Sequence, residues 1–322
     1  MSEKRSILVL TNQVHELRRS QTTFLFADAA AARGHRVVFS QLNGLFATNP
    51  AMIQIRGQML RRDSDSAPSF GEPTTFDLED FDEIWPRFNP GRIEGARDSF
   101  DTWFEMLERL PPSIKIKNEL TGIKKWASKL NLIYLPEDIC PLTIFVQGCA
   151  QLPSLLGRFS ETGHQTVVVK PCYGTRGANV RKVALKELTE SPESFIEGPT
   201  IIQSLIEGPN EDLRILISRG KILQGTDGCA LGIHRIARAG EFRANVEFCD
   251  TIGPGKLTKD ETRRLLPLAE SLWRDGIHYA AIDTRGGKVV EVNVQSPGGL
   301  YYIQKFWEPA SSSTLTDNWL IH

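Results

Sequence analysis

Near the C-terminus, the stretch AAIDTRGGKVVEVNVQSPGG sets Asp283 on one short apolar strand and Glu291 with Asn293 on the next. Alternate residues of a strand share a face, so Glu291 and Asn293 point the same way. An odd-length loop around Gly287 places Asp283 opposite Glu291 on that face. Two carboxylates and an amide then converge. Such a donor set suits a hard cation, magnesium or in its place manganese, whose remaining positions are filled by water or phosphate oxygens. Flanking Ala, Ile and Val residues bury the opposite face and Ser296-Pro297 ends the strand, leaving the acids at a rim. A solvated polar strand face is the competing reading.

A second stretch, VVVKPCYGTRGANVRKV from Val167, delivers Lys170 at the end of a buried-type strand and then a loop containing Gly174 and Gly177. A lysine at a strand end supplies a fixed positive charge, and small residues let loop amides wrap around triphosphate oxygens. A plain hairpin turn with an exposed lysine is the competing reading. Between the two stretches, TIIQSLIEGPNEDLRILI breaks at Gln203 to Ile206 and restarts with Asp212 and Arg214. A break of this kind offers main-chain groups and a flat apolar slot to an adenine ring, with a nearby acid for ribose hydroxyls; an interdomain linker is the alternative. HRIARAGEFRANV adds Arg235, Arg243 and Asn245, groups of the kind that hold carboxylates and developing phosphoryl charge, or else a solvated basic hairpin.

These residues need elements to position them. Ser6 to Leu10 reads as a short apolar strand, about Thr22 to Ala32 as a helix closing on Gly34, and Arg36 to Ser40 as a second strand. This βαβ opening predicts a small parallel sheet with ligands beyond the carboxyl ends of its strands. The loop TNQVHELRRS lacks a G-x-G-x-x-G turn, which argues against a dinucleotide-binding dehydrogenase. Arg61 to Thr75 is rich in Asp, Ser, Pro and Gly and reads as a flexible surface loop. Asp80 to Ile84 leads into a third strand ending in WPRFNP. The spacing of Phe100, Trp103, Phe104 and Leu107 makes Glu94 to Leu110 helical, stopped by Pro111 and Pro112. From about Lys117 strands and helices alternate in a second region.

At 322 residues the chain is long enough for two or three compact units. Hydrophobic residues at 40% and charged residues at 24% make an ordinary globular balance. A net charge of -1 with scattered basic residues gives no footprint for nucleic acid. Cys140, Cys149, Cys172, Cys229 and Cys249 have neither C-x-x-C pairing nor zinc-like histidine spacing. The run ILVL is too short for a signal-peptide core and no stretch approaches a membrane span, so the expectation is a cytoplasmic protein without a membrane partner.

In order along nearly the whole chain, these stretches resemble the bacterial-type glutathione synthetases of the ATP-grasp superfamily. The likeness rests on the N-terminal strand-loop-helix, WPRFNP, VVVKPCYGTRGA, the Gln203 hinge, EDLR, GEFRAN, and D-x7-E-x-N followed by Ser-Pro. The resemblance implies an α/β fold, α+β in its C-terminal part. A Rossmann-like pre-ATP-grasp domain (1–117) precedes a two-lobed ATP-grasp domain, with a small nucleotide lobe (118–202) and a large lobe bearing the metal site (203–322). It further implies ATP and Mg2+ as cofactors, small-molecule carboxylate and amine substrates, and a homo-oligomer.

Residue by residue, the resemblance puts Lys170 and a second lysine, Lys125 of KKWASKL with Lys124 competing, on ATP phosphates beside the Gly174 and Gly177 loop. Gln203, Ser204 and Ile206 would line the adenine site, and Asp212 would sit near ribose or metal. Asp283, Glu291 and Asn293 would hold magnesium, and Arg214, Arg243 and Asn245 would surround the reacting phosphoryl group. Arg87 would reach the acyl donor, with Arg235 and Ser296 also on the substrate side. Three departures stand out. Arg176 replaces a loop glycine, VEFCDTIGPGK replaces a glycine-rich mobile segment, and Gly298-Gly299-Leu300-Tyr301-Tyr302 stands where a threonine and then a glutamate are common. The activity implied is a ligation through an acyl phosphate, of γ-glutamylcysteine with glycine or of another acid and amine; a nucleotide-binding regulator without turnover is the reading from a different class.

Overall fold

The computed structural model describes residues 3–49, 52–62, 67–89, 91 and 97–321. The first sheet starts from Ser6–Thr11 (β1), in which every residue after Ser6 is buried, the pattern of a strand covered on both faces. Thr22–Ala32 (α1) returns the chain to Arg36–Thr48 (β2), parallel to β1 with Ser6 opposite Arg36. Met52–Arg61 (β3), Ser69–Phe70 (β4), Thr74–Asp77 (β5), Glu83–Pro86 (β6), Arg97–Glu108 (α2) and Lys115–Ile116 (β7) follow. The order is β4-β3-β2-β1-β6-β7, with β5 alongside β3.

The βαβ opening predicts a parallel sheet; the observed one is mixed, because β3, β4 and β5 join antiparallel. Strand β2 does not stop at Ser40. It passes through a register irregularity between Ser40 and Leu45 and runs on to Thr48. Gly44 makes that passage possible: a Cβ there would lie 2.4 Å from Ser40 Oγ and 2.8 Å from the Arg56 carbonyl oxygen. The expected loop from Arg61 to Thr75 instead contains the short strands β4 and β5, while residues 63–66 lie outside the described residues. Helix α2 buries Phe100, Trp103, Phe104 and Leu107, and its expected start at Glu94 also falls outside them.

Next come Leu120–Trp126 (α3), Thr143–Val146 (β8), Leu152–Glu161 (α4), Thr166–Pro171 (β9), Arg181–Ala184 (β10), Leu185–Glu190 (α5) and Thr200–Ser204 (β11). Their strands form an antiparallel sheet in the order β10-β9-β11-β8. Val167 and Val169 face an apolar core with Leu156, Phe159 and Leu188 from the helices. By the two-residue period of a strand, Val168 and Lys170 face the other way.

The last sheet comprises Glu211–Ser218 (β12), Lys221–Ile222 (β13), Leu231–Ala237 (β14), Cys249–Lys256 (β15), Tyr279–Arg285 (β16) and Lys288–Asn293 (β17). Its order is β15-β14-β12-β16-β17, with β13 beside β12. Lys259–Arg274 (α6) precedes β16; its N-terminus is closed by a capping box in which Thr258 and Glu261 each satisfy the other's backbone N–H. Leu300–Phe306 (α7) and Pro309–Leu320 (α8) carry the chain back to the first sheet, where Trp319 stacks on Phe26 at 5.0 Å. No helix among the described residues is long and apolar enough to cross a membrane.

The return of α8 is fixed by buried charge. Lys117 Nζ donates to the carbonyls of Trp319 (2.9 Å) and Ile321 (3.1 Å). Arg5 donates to the Leu320 carbonyl at 2.7 Å. These bonds satisfy carbonyls that a helix end leaves without partners. Glu83, fully buried, pairs with both Arg5 and Lys117 and accepts from Trp85 Nε1. Removing that carboxylate leaves two buried cations unbalanced. Glu83→Ala is expected to cost about 3–5 kcal/mol of unfolding free energy, measured by denaturant titration; a loss below about 1 kcal/mol would show the network to be energetically idle.

Candidate active site

The hairpin of β16 and β17 turns at Gly286-Gly287, both at positive φ (51° and 71°), with Arg285 opposite Lys288. That is a two-residue loop, not the odd-length one expected. The odd count comes instead from a bulge: Thr284 pairs with Val289, then Asp283 with Glu291, leaving Val290 unpaired. Asp283 and Glu291 therefore still face each other. The Asn293 amide reaches both, 3.3 Å from Asp283 Oδ2 and 3.4 Å from Glu291 Oε2. Rotation of that amide brings its oxygen to the same point, giving three oxygen donors. Two carboxylates and an amide fit a magnesium ion that shares its sphere with phosphate oxygens. Among the described residues no cluster of three His, Cys, Asp or Glu offers an all-protein cage.

Asp283 is buried and already gripped by two arginines. Arg214 holds it bidentately at 2.8 and 2.7 Å, and Arg235 reaches it at 3.1 Å while clasping Asp212 at 2.5 and 2.8 Å. Burial alone would raise the Asp283 pKa, but Arg214 and Arg235 outweigh it and hold this carboxyl well below the usual range. At Asp212 burial prevails over Arg235 and, aided by the charge of Asp283, pushes the carboxyl up. Arg235 is held protonated: its two acid partners more than offset burial.

Between the second and third sheets lies a cleft lined by Lys129, Lys170, Gly177, Gln203, Ser204, Ile206, Asp212, Arg243, Asn245, Asp283 and Glu291. Lys170 is buried and donates to Gln203 Oε1 (2.7 Å) and to the carbonyl that the bulge exposes at Val290 (3.2 Å). Burial, partly countered by Glu291, lowers its pKa to about 8. The break after β11 is less open than expected, because Ser204 N–H already bonds the Leu142 carbonyl (2.8 Å) and Leu205 N–H that of Thr166 (3.2 Å). Its contribution to the cleft is mainly the apolar wall of Leu205 and Ile206, with Val168, Val180 and Phe242 completing a slot suited to a flat purine.

Lys125 and Lys124 do not reach this cleft. They sit on the outer face of α3, Lys125 paired with Asp275 (2.8 Å) and Lys124 with Glu108, because Ile123 and Trp126 take the inner face. The lysine brought in is Lys129, 3.2 Å from Glu291 and donating to the Gly174 carbonyl at 3.0 Å. The third lysine of KKWASKL is thus the one that lines the site; the helical phase of Ile123 and Trp126 carried that signal. Arg285, lining the same cleft, was also not singled out.

The segment after β14 closes over the cleft. Arg243 donates to the Gly177 carbonyl (3.0 Å), lies over the Phe248 ring (3.8 Å) and is held by Glu241. Arg176, at φ 58°, pairs with Glu247 at 2.7 Å. Beyond the acids opens a second cavity of about 920 Å³, lined by Arg87, Arg214, Arg235, Asn293 and Ser296. Arg87 is buried and spans from Thr23 Oγ1 (3.2 Å) to the Pro297 carbonyl (3.0 Å). Ser296 holds a positive φ of 50°, a strained conformation for a residue with a side chain. Glu291 and Asn245 line both cavities, so the acid rim is their common wall.

Residues 129–308 match the model of the prokaryotic glutathione synthetase ATP-grasp domain, and residues 6–118 match that of the corresponding N-terminal domain. The chain belongs to the prokaryotic glutathione synthetase family. It is an ATP-grasp ligase. Among curated members, glutathione synthetase of Prochlorococcus marinus (strain MIT 9313) is 28% identical over 278 residues, covering 81% of this chain and 83% of that one. That of Brucella melitensis biotype 1 is 25% identical over 298 residues, 88% of each. In solved structures, D-cycloserine synthetase DcsG superposes with a TM-score of 0.62 at 14% identity, over 97% of this chain and 99% of that one. A RiPP-associated ATP-grasp ligase of Chryseobacterium gregarium, in complex with ADP and a leader and core peptide, gives 0.62 at 14% identity, over 98% of this chain and 95% of that one. At that identity the structural likeness concerns the fold. The family uses ATP and a divalent metal, which agrees with the oxygen donors of the rim.

Two expectations follow. Lys129→Ala should weaken ADP binding at least about tenfold, whereas Lys125→Ala should leave it within about twofold, since about 1.4 kcal/mol corresponds to a factor of ten. Calorimetric titration of both variants decides, and the reverse order would return Lys125 to the phosphates. Phosphate oxygens favour protonated Lys170, whose pKa in the free protein is about 8. Affinity for ADP in magnesium-free buffer should therefore be flat below that pH. Above it, affinity should fall by up to about tenfold per unit, with proton uptake on binding, until the pKa of the complex is reached. Titrations in buffers of different ionisation enthalpy measure the uptake, and Lys170→Arg should abolish it.

Proposed function

We propose that the protein joins a carboxylate to an amine through an acyl phosphate, as a glutathione synthetase-like ligase. The observation that carries this reading is the shared rim: Asp283 lines the cleft, Asn293 lines the larger cavity, and Glu291 with Asn245 faces both. A substrate carboxylate in the larger cavity and a terminal phosphate in the cleft would then meet at one place. The carboxylate oxygen attacks the γ-phosphorus and the bond to the bridging oxygen of ADP breaks. The amine nitrogen then attacks the acyl carbon, phosphate leaves, and the amine's proton leaves with it.

In this reading Lys170 and Lys129 hold the phosphates, and Asp283, Glu291 and Asn293 hold a magnesium ion that offsets charge on the terminal phosphate. Arg214 and Arg235, on the larger-cavity side of Asp283, orient the reacting carboxylate, and Arg87 with Ser296 shapes the donor's seat. The 238–248 segment, tied to the phosphate loop by Arg243 and Glu247, excludes water from a hydrolysable intermediate. The donor and acceptor taken first are γ-glutamylcysteine and glycine; the tyrosines at 301 and 302 support another acceptor.

The test is a coupled ADP assay with magnesium across paired carboxylates (γ-glutamylcysteine, glutamate, dipeptides) and amines (the common amino acids). ADP release that requires both substrates is expected, and Glu291→Gln should lower it by at least about a hundredfold with an unchanged melting temperature. Nucleotide binding without ADP release from any pair would leave a regulator as the reading, and full activity in the variant would remove Glu291 from the rim's chemistry.

A further inference from the structure

The larger cavity brings charged and apolar side chains together: Arg214, Arg235, Glu291 and Asn293 line it, and so do Val246 on the closing segment and Tyr301 with Tyr302 at the start of α7. Val246 is 51% exposed and Tyr301 41%, high values for large apolar side chains in this molecule. The tyrosines are not loose surface residues. Their rings meet edge-on at 5.4 Å, and Tyr302 stacks on Phe306 at 5.9 Å. One ring of the wall is therefore buttressed from behind.

Apolar surface left in water inside a cavity is a cost that a ligand removes by covering it. Glycine has no side chain to do so, and a cavity of about 920 Å³ leaves room beyond such an acceptor. In the ligase reading the donor's reacting carboxylate lies at the rim, and the acceptor enters the same cavity after the acyl phosphate has formed.

We infer that the amine acceptor carries an aromatic or large apolar side group, which packs against Tyr301, Tyr302 and Val246. The inference rests on the ligase reading above.

The experiment compares phenylalanine, leucine and glycine as acceptors in the ADP assay, using the carboxylate that releases most ADP in the screen. Phenylalanine or leucine should exceed glycine in kcat/KM by about 10–200-fold, the discrimination an apolar pocket supplies. In Tyr301→Thr/Tyr302→Ala that ratio should collapse toward one, chiefly through KM of the apolar acceptor, while Tyr301→Phe, which keeps the ring, should retain it. Preference for glycine, or a ratio unmoved by the double substitution, overturns the acceptor assignment and leaves the ligase reading standing. Absence of ADP release with every pair overturns both.

Discussion

Burying a carboxylate at the bottom of a cleft is possible here only because two guanidinium groups meet it. Asp283 lies on β16, Arg214 on β12 and Arg235 on β14, and Arg235 in turn secures Asp212 on β12. An unpaired charge at this depth would be neutralised or would destabilise the fold. The four side chains thus fix how three strands sit together. Cross-strand register places Arg214 opposite Asp283 and Asp212 opposite Arg235, so a slip of one residue would turn every partner to the other face. The same pairing keeps Asp283 ionised and acceptor-only, the state in which it can also serve a cation.

The acid rim and the Lys170 side of the cleft are joined by one irregularity. At the bulge, Val290 falls out of the ladder and its carbonyl turns to Lys170 on a different sheet. A regular hairpin with the same two-glycine turn would pair Glu291 with a neighbour of Asp283 and send the two acids to opposite faces. Lys129 completes the link by touching both Glu291 and the Gly174 carbonyl. Two lysines and one bulge therefore set the distance between the small sheet and the large one, and with it the width of the cleft between them.

Family membership fixes the type of chemistry more firmly than its substrates. Identity with curated glutathione synthetases is 28% or less in the pairs described. Arg176 and Glu247 link the loop after β9 to the closing segment. Arg176 stands at positive φ, and its charge is met by that acid. Half-exposed as it is, that pair contributes little to stability and more to where the segment rests.

What the sequence determined by itself was local or strictly periodic. The parallel start of β1, α1 and β2, the apolar stripe of α2, and the common face of Glu291 and Asn293 all follow from spacings of two or of three to four residues. Tertiary structure decided what depends on which face meets which neighbour. Lys129 reaches the site in place of Lys125 because α3 turns Ile123 and Trp126 inward. Strand β3 pairs along the length of β2 because Gly44 lets β2 continue past the irregularity that follows Ser40. The pairing of Asp283 with Glu291 was legible, but the bulge that achieves it was not, since an even loop with one extra residue and an odd loop predict the same face. The commitment of Arg214 and Arg235 to Asp283 lay beyond any spacing rule, because the three residues come from strands far apart in the chain and meet only when the sheet is assembled.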